Sequence, residues 1–274
     1  MKIRRCFLTY ILLLLLYISN LFAQEIITTT SVLSSAVKEI VKGKLKVENL
    51  VPSGYCPGHS DIKVKHLAEI EKSGLLFAHG FEPYLDQIKN SIKKEGFSPI
   101  IIKTEGTCFS LENQKKIYNE LTKILSEKFP QYKDFFETNS KKTLLEIEET
   151  DKKIKNIIKK KQVAGISVIC NGYIKNMLEY LGLEVIATYG RKEDLSPSQI
   201  KKLIEIGRKE KVSLVIDNLQ AGPDTGKGIA EELRIPHITI SNFPEALPDT
   251  PTLRDTLYVN TQRIIEAYEK NKIR

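Results

Sequence analysis

Between residues 131 and 162 the chain reads QYKDFFETNSKKTLLEIEETDKKIKNIIKKKQ, a stretch with neither glycine nor proline. Phe135, Phe136, Leu144, Leu145, Ile147, Ile154, Ile157 and Ile158 recur through it at helical spacing, and no turn residue interrupts them. At ~1.5 Å per residue, an unbroken helix here spans about 45 to 50 Å. Lobes are ordinarily joined by loops or strands, whereas this join reads as a rigid strut. The plainer alternative is two shorter helices with an unmarked break.

On both sides of the strut, short apolar runs rich in β-branched residues alternate with amphipathic segments. Before it, EIITTT (25–30), KVENLVP (46–52), GLLFAHG (74–80) and SPIIIKT (98–104) read as strands. Helices are expected at Ser31 to Val41, Ile62 to Lys72, Pro83 to Lys94 and Ser110 to Lys128. After it, AGISVIC (164–170), LEVIATYG (183–190), VSLVIDN (212–218) and PHITISN (236–242) repeat the scheme. Their helices are expected at Tyr173 to Leu181, Ser196 to Lys211, Thr225 to Arg234 and Thr250 to Lys272. The expected class is therefore α/β: two lobes, each a mainly parallel four-stranded sheet flanked by helices, bridged by one long helix. The divisions fall at 24–130 for the first lobe, 131–162 for the link and 163–274 for the second.

Residues 1–23, MKIRRCFLTYILLLLLYISNLFA, place Lys2, Arg4 and Arg5 before an unbroken apolar run that ends on a small residue. This is the pattern of a secretory signal peptide, an uncleaved membrane anchor being the alternative. Cys6 precedes the apolar run, the wrong side for a lipid-modified cysteine. Removing 23 residues from 274 leaves 251, and removing three basic residues takes the formal charge from +8 to +5. The remaining excess sits in lysine-rich helical stretches such as KKIKNIIKKK (152–161) and reads as a solvated face. No basic and aromatic residues interleave as a nucleic-acid strip requires, so nucleic acid is not an expected partner. Cys56, Cys108 and Cys170 remain after the leader, an odd number for an oxidising compartment.

In open α/β sheets, ligands bind beyond the carboxyl ends of the strands. Residues just past those ends are Cys56 and His59, then His79 with Glu82, then Cys108, all in the first lobe. In the second lobe they are Cys170 and Asn171, Asp217 and Asn218, and Asn242. Thiolate and imidazole suit zinc, cuprous and related ions, so Cys56, His59, His79, Cys108 and Cys170 form the candidate metal set. Glu82, Asn171, Asp217, Asn218 and Asn242 complete the expected cleft. Two alternatives stand beside this: a disulfide between Cys56 and Cys108, and Cys170 as a buried small hydrophobe. His66, inside IKVKHLAEIEK, and His237, inside PHITIS, are not expected to be ligands.

EIITTTSVLSSAVKEIVKGKLKVENLVPSG, LAEIEKSGLLFAHGFEPYLDQI, SLENQKKIYNELTKIL, YIKNMLEYLGLEV, LSPSQIKKLIEIGRKEKVSLVI and GKGIAEEL, in that order, resemble the metal-binding receptors of zinc and manganese ABC transporters. The likeness covers essentially the whole chain after the leader. It implies two α/β lobes on a long helix, with little movement between them. It also implies a soluble, exported, periplasmic or extracytoplasmic monomer that hands a transition metal to a membrane permease. No enzyme activity and no organic cofactor are implied.

The sequence departs from the family pattern at each ligand. The first family histidine normally follows a proline; the loop here reads CPGH, leaving His59 displaced by one residue with Cys56 beside it. The second falls near Gly106, where Cys108 is the only donor, and the third at Asn171, beside Cys170. The acidic ligand falls near Asn242, and Asp217 stands one residue before the place where many members carry Glu. His79 occupies a position commonly held by Asn. More sulfur and less oxygen favour zinc or a softer ion over manganese. Replacing histidine and acid by Asn also suits a metal chelate or another small polar ligand. An exported thiol enzyme using Cys56 or Cys170, and a surface adhesin, are the readings from other classes. The enzyme reading rests on a Cys-x-x-His pair alone.

Overall fold

The computed structural model describes residues 25–272; the leader expected at 1–23 lies outside them. The first sheet contains β1 (Glu25–Thr28), β2 (Lys46–Asn49), β3 (Leu76–Ala78) and β4 (Ile100–Ile101), and the second contains β5 (Ser167–Asn171), β6 (Glu184–Tyr189), β7 (Leu214–Asn218) and β8 (His237–Ile240). Both are wholly parallel, ordered β2-β1-β3-β4 and β6-β5-β7-β8. In each, the chain crosses from one side of the first strand to the other, so β1 and β3, and likewise β5 and β7, flank a crevice at their carboxyl ends. The central strands are covered on both faces, which is why Ile26, Ile27, Val168, Ile169, Val215 and Ile216 form apolar runs instead of alternating with polar residues.

Helices α1 (Ser31–Val41), α2 (Val64–Ser73), α3 (Leu85–Ser91) and α4 (Leu111–Lys128) follow the strands of the first lobe. After the long helix α5 (Lys133–Lys160) come α6 (Lys175–Tyr180), α7 (Pro197–Lys209), α8 (Lys227–Leu233) and α9 (Leu253–Lys272). Their starts are written in the sequence: the Ser110 hydroxyl accepts the Asn113 N–H at the head of α4. At α7, Ser196 and Gln199 form a reciprocal capping box, with Pro197 at a first-turn position where no N–H is required.

The strut is one helix of 28 residues, about 42 Å long, entered through a 3₁₀ turn at Pro130–Tyr132. Phe136, Ser140, Thr143, Ile147, Asp151, Ile154 and Ile158 are buried, at spacings of three or four residues. They make a single stripe against the rest of the protein. Phe135 and Leu145, which looked like members of the apolar pattern, are solvent-exposed, whereas the polar Ser140, Thr143 and Asp151 take core positions. Each large apolar residue of the stripe contributes roughly 1.5–3 kcal/mol of burial. Asp151 is held by Lys155 at 2.7 Å and by the Tyr180 hydroxyl, so its charge is not stranded.

The lobes are not separate bodies. One continuous core runs from Ile26 and Phe77 through Ile147 and Ile154 of α5 to Val168, Ile216 and Leu257. α9, last in the chain, packs back on α5 and α1, and Arg254 pairs with Glu39 of α1 at 2.6 Å and Glu146 of α5 at 2.9 Å. Further ties join Gln220 Nε2 to the Ser53 carbonyl at 2.8 Å, the Ser31 hydroxyl to the Pro244 carbonyl at 2.9 Å and the Leu111 N–H to the Tyr180 hydroxyl at 3.1 Å. Among the described residues no helix is long and apolar enough to cross a membrane.

Candidate functional site

The crevice between the two sheet ends holds a cavity of about 450 Å³. The first lobe contributes Cys56, His59, His79, Phe81, Thr107 and Cys108. The second contributes Tyr173, Asn176, Arg191, Asn218, Gln220 and Asn242. The described lining contains no aspartate or glutamate, and it is more apolar than polar.

Cys56 and His59 reach the wall together because Pro57–His59 is a 3₁₀ turn capped by Cys56, with the His59 N–H donating to the Cys56 carbonyl at 3.0 Å. At three residues per turn, side chains three apart lie above one another. The Ser60 hydroxyl also donates to the Cys56 carbonyl, at 2.9 Å, and closes the loop.

His79 is set by a buried carboxylate. Glu82 accepts the His79 N–H at 2.9 Å, the Gly80 N–H at 2.7 Å and the Thr29 hydroxyl, which folds the chain sharply after β3. Gly80 sits at φ +98, a region few other residues enter. The imidazole Nε2 lies 2.9 Å from the Thr30 hydroxyl, and the ring stacks on Phe81 at 5.3 Å. Burial lowers the His79 pKa, opposed by the charge of Glu82 and a backbone interaction with Ile102. The ring is therefore neutral at neutral pH, the form that ligates metals. Burial pushes the Cys108 thiol up to about 12. An ion bound there displaces its proton.

Other rim residues serve the scaffold. Cys170 is wholly buried in the core, away from the cavity. On β5, Val168 and Cys170 point to one side and Ile169 to the other, because strand side chains alternate; the core side takes the sulfur. Its thiol too is pushed up to about 12 by burial. Asn171 is wholly buried and caps the following turn, accepting the Tyr173 N–H at 3.1 Å and donating to the Gly190 carbonyl at 3.0 Å. Asp217 faces away from the cavity, bonded to the Tyr189 hydroxyl at 2.7 Å, the Gly226 N–H at 2.9 Å and His237 Nε2 at 2.6 Å. That approach requires glycine at 226, since a Cβ there would strike the Tyr189 hydroxyl. His66 Nδ1 accepts the Lys63 N–H at 3.3 Å at the start of α2. Glu82 acts on the wall only through His79. Cys56, Cys108 and Cys170 are all free thiols, so the disulfide alternative does not hold. Among the described residues, no three His, Cys, Asp or Glu side chains are grouped closely enough to hold a metal ion on their own.

Asn218 and Asn242 do reach the cavity, organised by Gln220. Its side-chain oxygen accepts from Asn218 Nδ2 at 3.2 Å and the Asn242 N–H at 3.3 Å, while its amide donates to Ser53 and Ser241. The sequence reading missed Gln220, Tyr173 and Arg191. Arg191 had a signal: it follows β6, the one strand of the second lobe whose end the rim reading left out.

The family described as zinc-uptake complex component A, periplasmic (ZnuA), matches residues 26–267. The chain belongs to this family. Family members are substrate-binding transport proteins, not enzymes. Among curated relatives, the manganese ABC transporter substrate-binding lipoprotein PsaA of Streptococcus mitis is 23% identical, over 90% of this chain and 89% of its own length. The metal ABC transporter substrate-binding lipoprotein SsaB of Streptococcus sanguinis is 23% identical, over 96% of this chain and 99% of its own. Among solved structures, a ZnuA crystal structure superposes with a TM-score of 0.75 at 18% identity, over 90% of this chain and 99% of that one. The Cd-bound periplasmic metal-binding protein of Candidatus Liberibacter asiaticus gives 0.72 at 18% identity, over 89% and 99%. These likenesses establish the two-lobed ZnuA-type fold.

Proposed function

We propose that the protein is an exported substrate-binding receptor of a metal ABC transporter, capturing a transition-metal ion between its lobes and delivering it to a membrane permease. The observation that carries this reading is the wall of soft donors: Cys56, His59, His79 and Cys108 from the first lobe face one cavity at the switch point of both sheets. The relatives named for manganese and for metal in general support the class of cargo. With thiols and imidazoles present and no carboxylate on the described wall, zinc or a softer ion fits the donors better than manganese. We assign His79 and His59 as the candidate imidazole donors and Cys56 and Cys108 as the candidate thiol donors, no three of which stand close enough to complete an ion's shell without a further ligand.

The test is calorimetry and thermal unfolding of the leader-free chain under reducing conditions. Zinc is expected to raise the melting temperature, reversibly with a chelator, and manganese to do so far less. His79→Ala is expected to weaken zinc at least about tenfold, by the scale typical of losing a group in or next to a metal's shell. If no divalent or cuprous ion, free or complexed, shifts the melting temperature, the receptor reading fails.

A further inference from the structure

Resting on that receptor reading, the geometry points to Arg191 as an anion-recognition group in the same cavity, so that the cargo is a transition-metal ion already held by a small carboxylate-bearing ligand. Arg191 stands in the lobe opposite the thiol and imidazole wall, and its guanidinium lies over the Tyr173 ring at 5.7 Å. The ring occupies one face of the guanidinium. Along its edge, Nε and Nη2 are buried and have no hydrogen-bond partner. Asp194, which shares the wall of the adjoining cavity, does not bond to them. A planar fork of N–H donors fits the two oxygens of a carboxylate. Donors withheld from water without an acceptor are costly, and a carboxylate that draws the Arg191 side chain out into the cavity and takes both donors removes that cost.

Charge and donor count agree. A permanent cation with no described acid on the cavity wall repels a bare dication, whereas a complex bearing carboxylates presents the opposite sign. The described side chains supply no ready group of three donors, and a chelate brings the missing ones with it. The volume of about 450 Å³ far exceeds the roughly 30 Å³ of one water-sized species. Phe81, Asn218 and Asn242 line the extra space with the mixed surface an organic body requires.

The experiment is calorimetry on the leader-free chain, reduced, with four probes: Zn²⁺ alone, citrate alone, the zinc–citrate complex and the zinc–histidine complex. The native chain is expected to bind at least one complex ten or more times more tightly than Zn²⁺ or citrate alone. Arg191→Gln is expected to lose that preference and to bind Zn²⁺ alone more tightly, a repelling charge having gone. Arg191→Lys, which keeps the charge without the fork, should restore little of it. Circular-dichroism melting checks that both variants fold. Native binding of Zn²⁺ alone as tight as either complex, or an Arg191→Gln variant that keeps the preference, overturns the inference while leaving the receptor reading intact. Citrate binding equally well without zinc removes the metal from the inference and overturns it, as does the absence of any zinc binding, free or complexed; the receptor reading falls only if other divalent and cuprous ions also fail to bind.

Discussion

Chemistry-bearing residues that share a rim in sequence part company in space according to which way a strand presents them. Asp217 stands one residue before the end of β7 and looks like a ligand, yet its oxygens are saturated by Tyr189, Gly226 and His237 behind the sheet. Asp217→Asn leaves a buried amide facing the Gly226 and Tyr189 donors in place of two strong acceptors. It is expected to cost about 2–4 kcal/mol in urea unfolding, the scale of a buried charge-assisted network. Zinc affinity, measured on the folded variant, should change less than about threefold, a difference below 1 kcal/mol; a large loss would return Asp217 to the site. The cysteines divide in the same way. Cys170, in the core and with its thiol raised to about 12, should resist alkylation at neutral pH until the chain unfolds. Cys56, half-buried on the cavity wall, should react in the native state, and zinc should protect it. Mass mapping of the labelled peptides checks both. Early labelling of Cys170 would revive its role as an exposed thiol. The rim of sulfurs read from the sequence is therefore a pair of wall thiols and one core thiol, a distinction made by strand alternation and invisible in spacing alone.

Elements were far easier to read than side-chain roles. Seven of the eight strands lie within the runs that β-branched composition marked, β5 passes its run by one residue at Asn171, and α1 has the bounds its sequence suggested, because those signals are local. The link is one helix for the reason its sequence gave: nothing in it breaks the backbone. Its buried stripe was harder to foresee. Ser140, Thr143 and Asp151 take positions that apolarity alone would award to Phe135 and Leu145, and the partners that make this tolerable, such as Tyr180, come from elsewhere in the chain. The same non-local logic hid the return of α9 to the first lobe. Arg254 meets Glu39, which also accepts from Tyr118, and Glu146. Arg254→Ala strands the buried Glu39 and is expected to cost about 3–5 kcal/mol in chemical denaturation. Arg254→Met combined with Glu39→Gln should recover a good part of that loss, since the uncompensated charge is gone; a double variant no more stable than Arg254→Ala would show that the network's value lies in packing instead.

At the scale of the whole molecule, a shared core and polar ties between the lobes leave little freedom for hinge closure. Small-angle scattering is expected to show a radius of gyration that changes by less than about 1 Å when zinc or a zinc complex binds, against the larger change that hinge receptors show. A drop of several ångströms would mean that the lobes separate in solution. The same rigidity makes His79 a report on pH. In the folded chain its pKa lies below the ordinary 6.5, chiefly through burial, with Glu82 opposing and the Thr30 hydroxyl and Phe81 ring as its neighbours. The unfolded chain then binds more protons between the folded value and 6.5, so stability rises with pH through that window. It is lost as the pH falls from neutral and stops changing, for this group, below the folded value. His66, lowered chiefly by burial and also by Lys65, contributes in the same direction. Carboxylates add their own acid loss, so the diagnostic is a comparison. The metal-free His79→Gln variant should lose less stability than the native chain between about pH 7 and pH 5, because one group that resists protonation has been removed. Equal losses in urea midpoints across that range would place His79 in solvent, and with it the wall of the cavity that its ring defines.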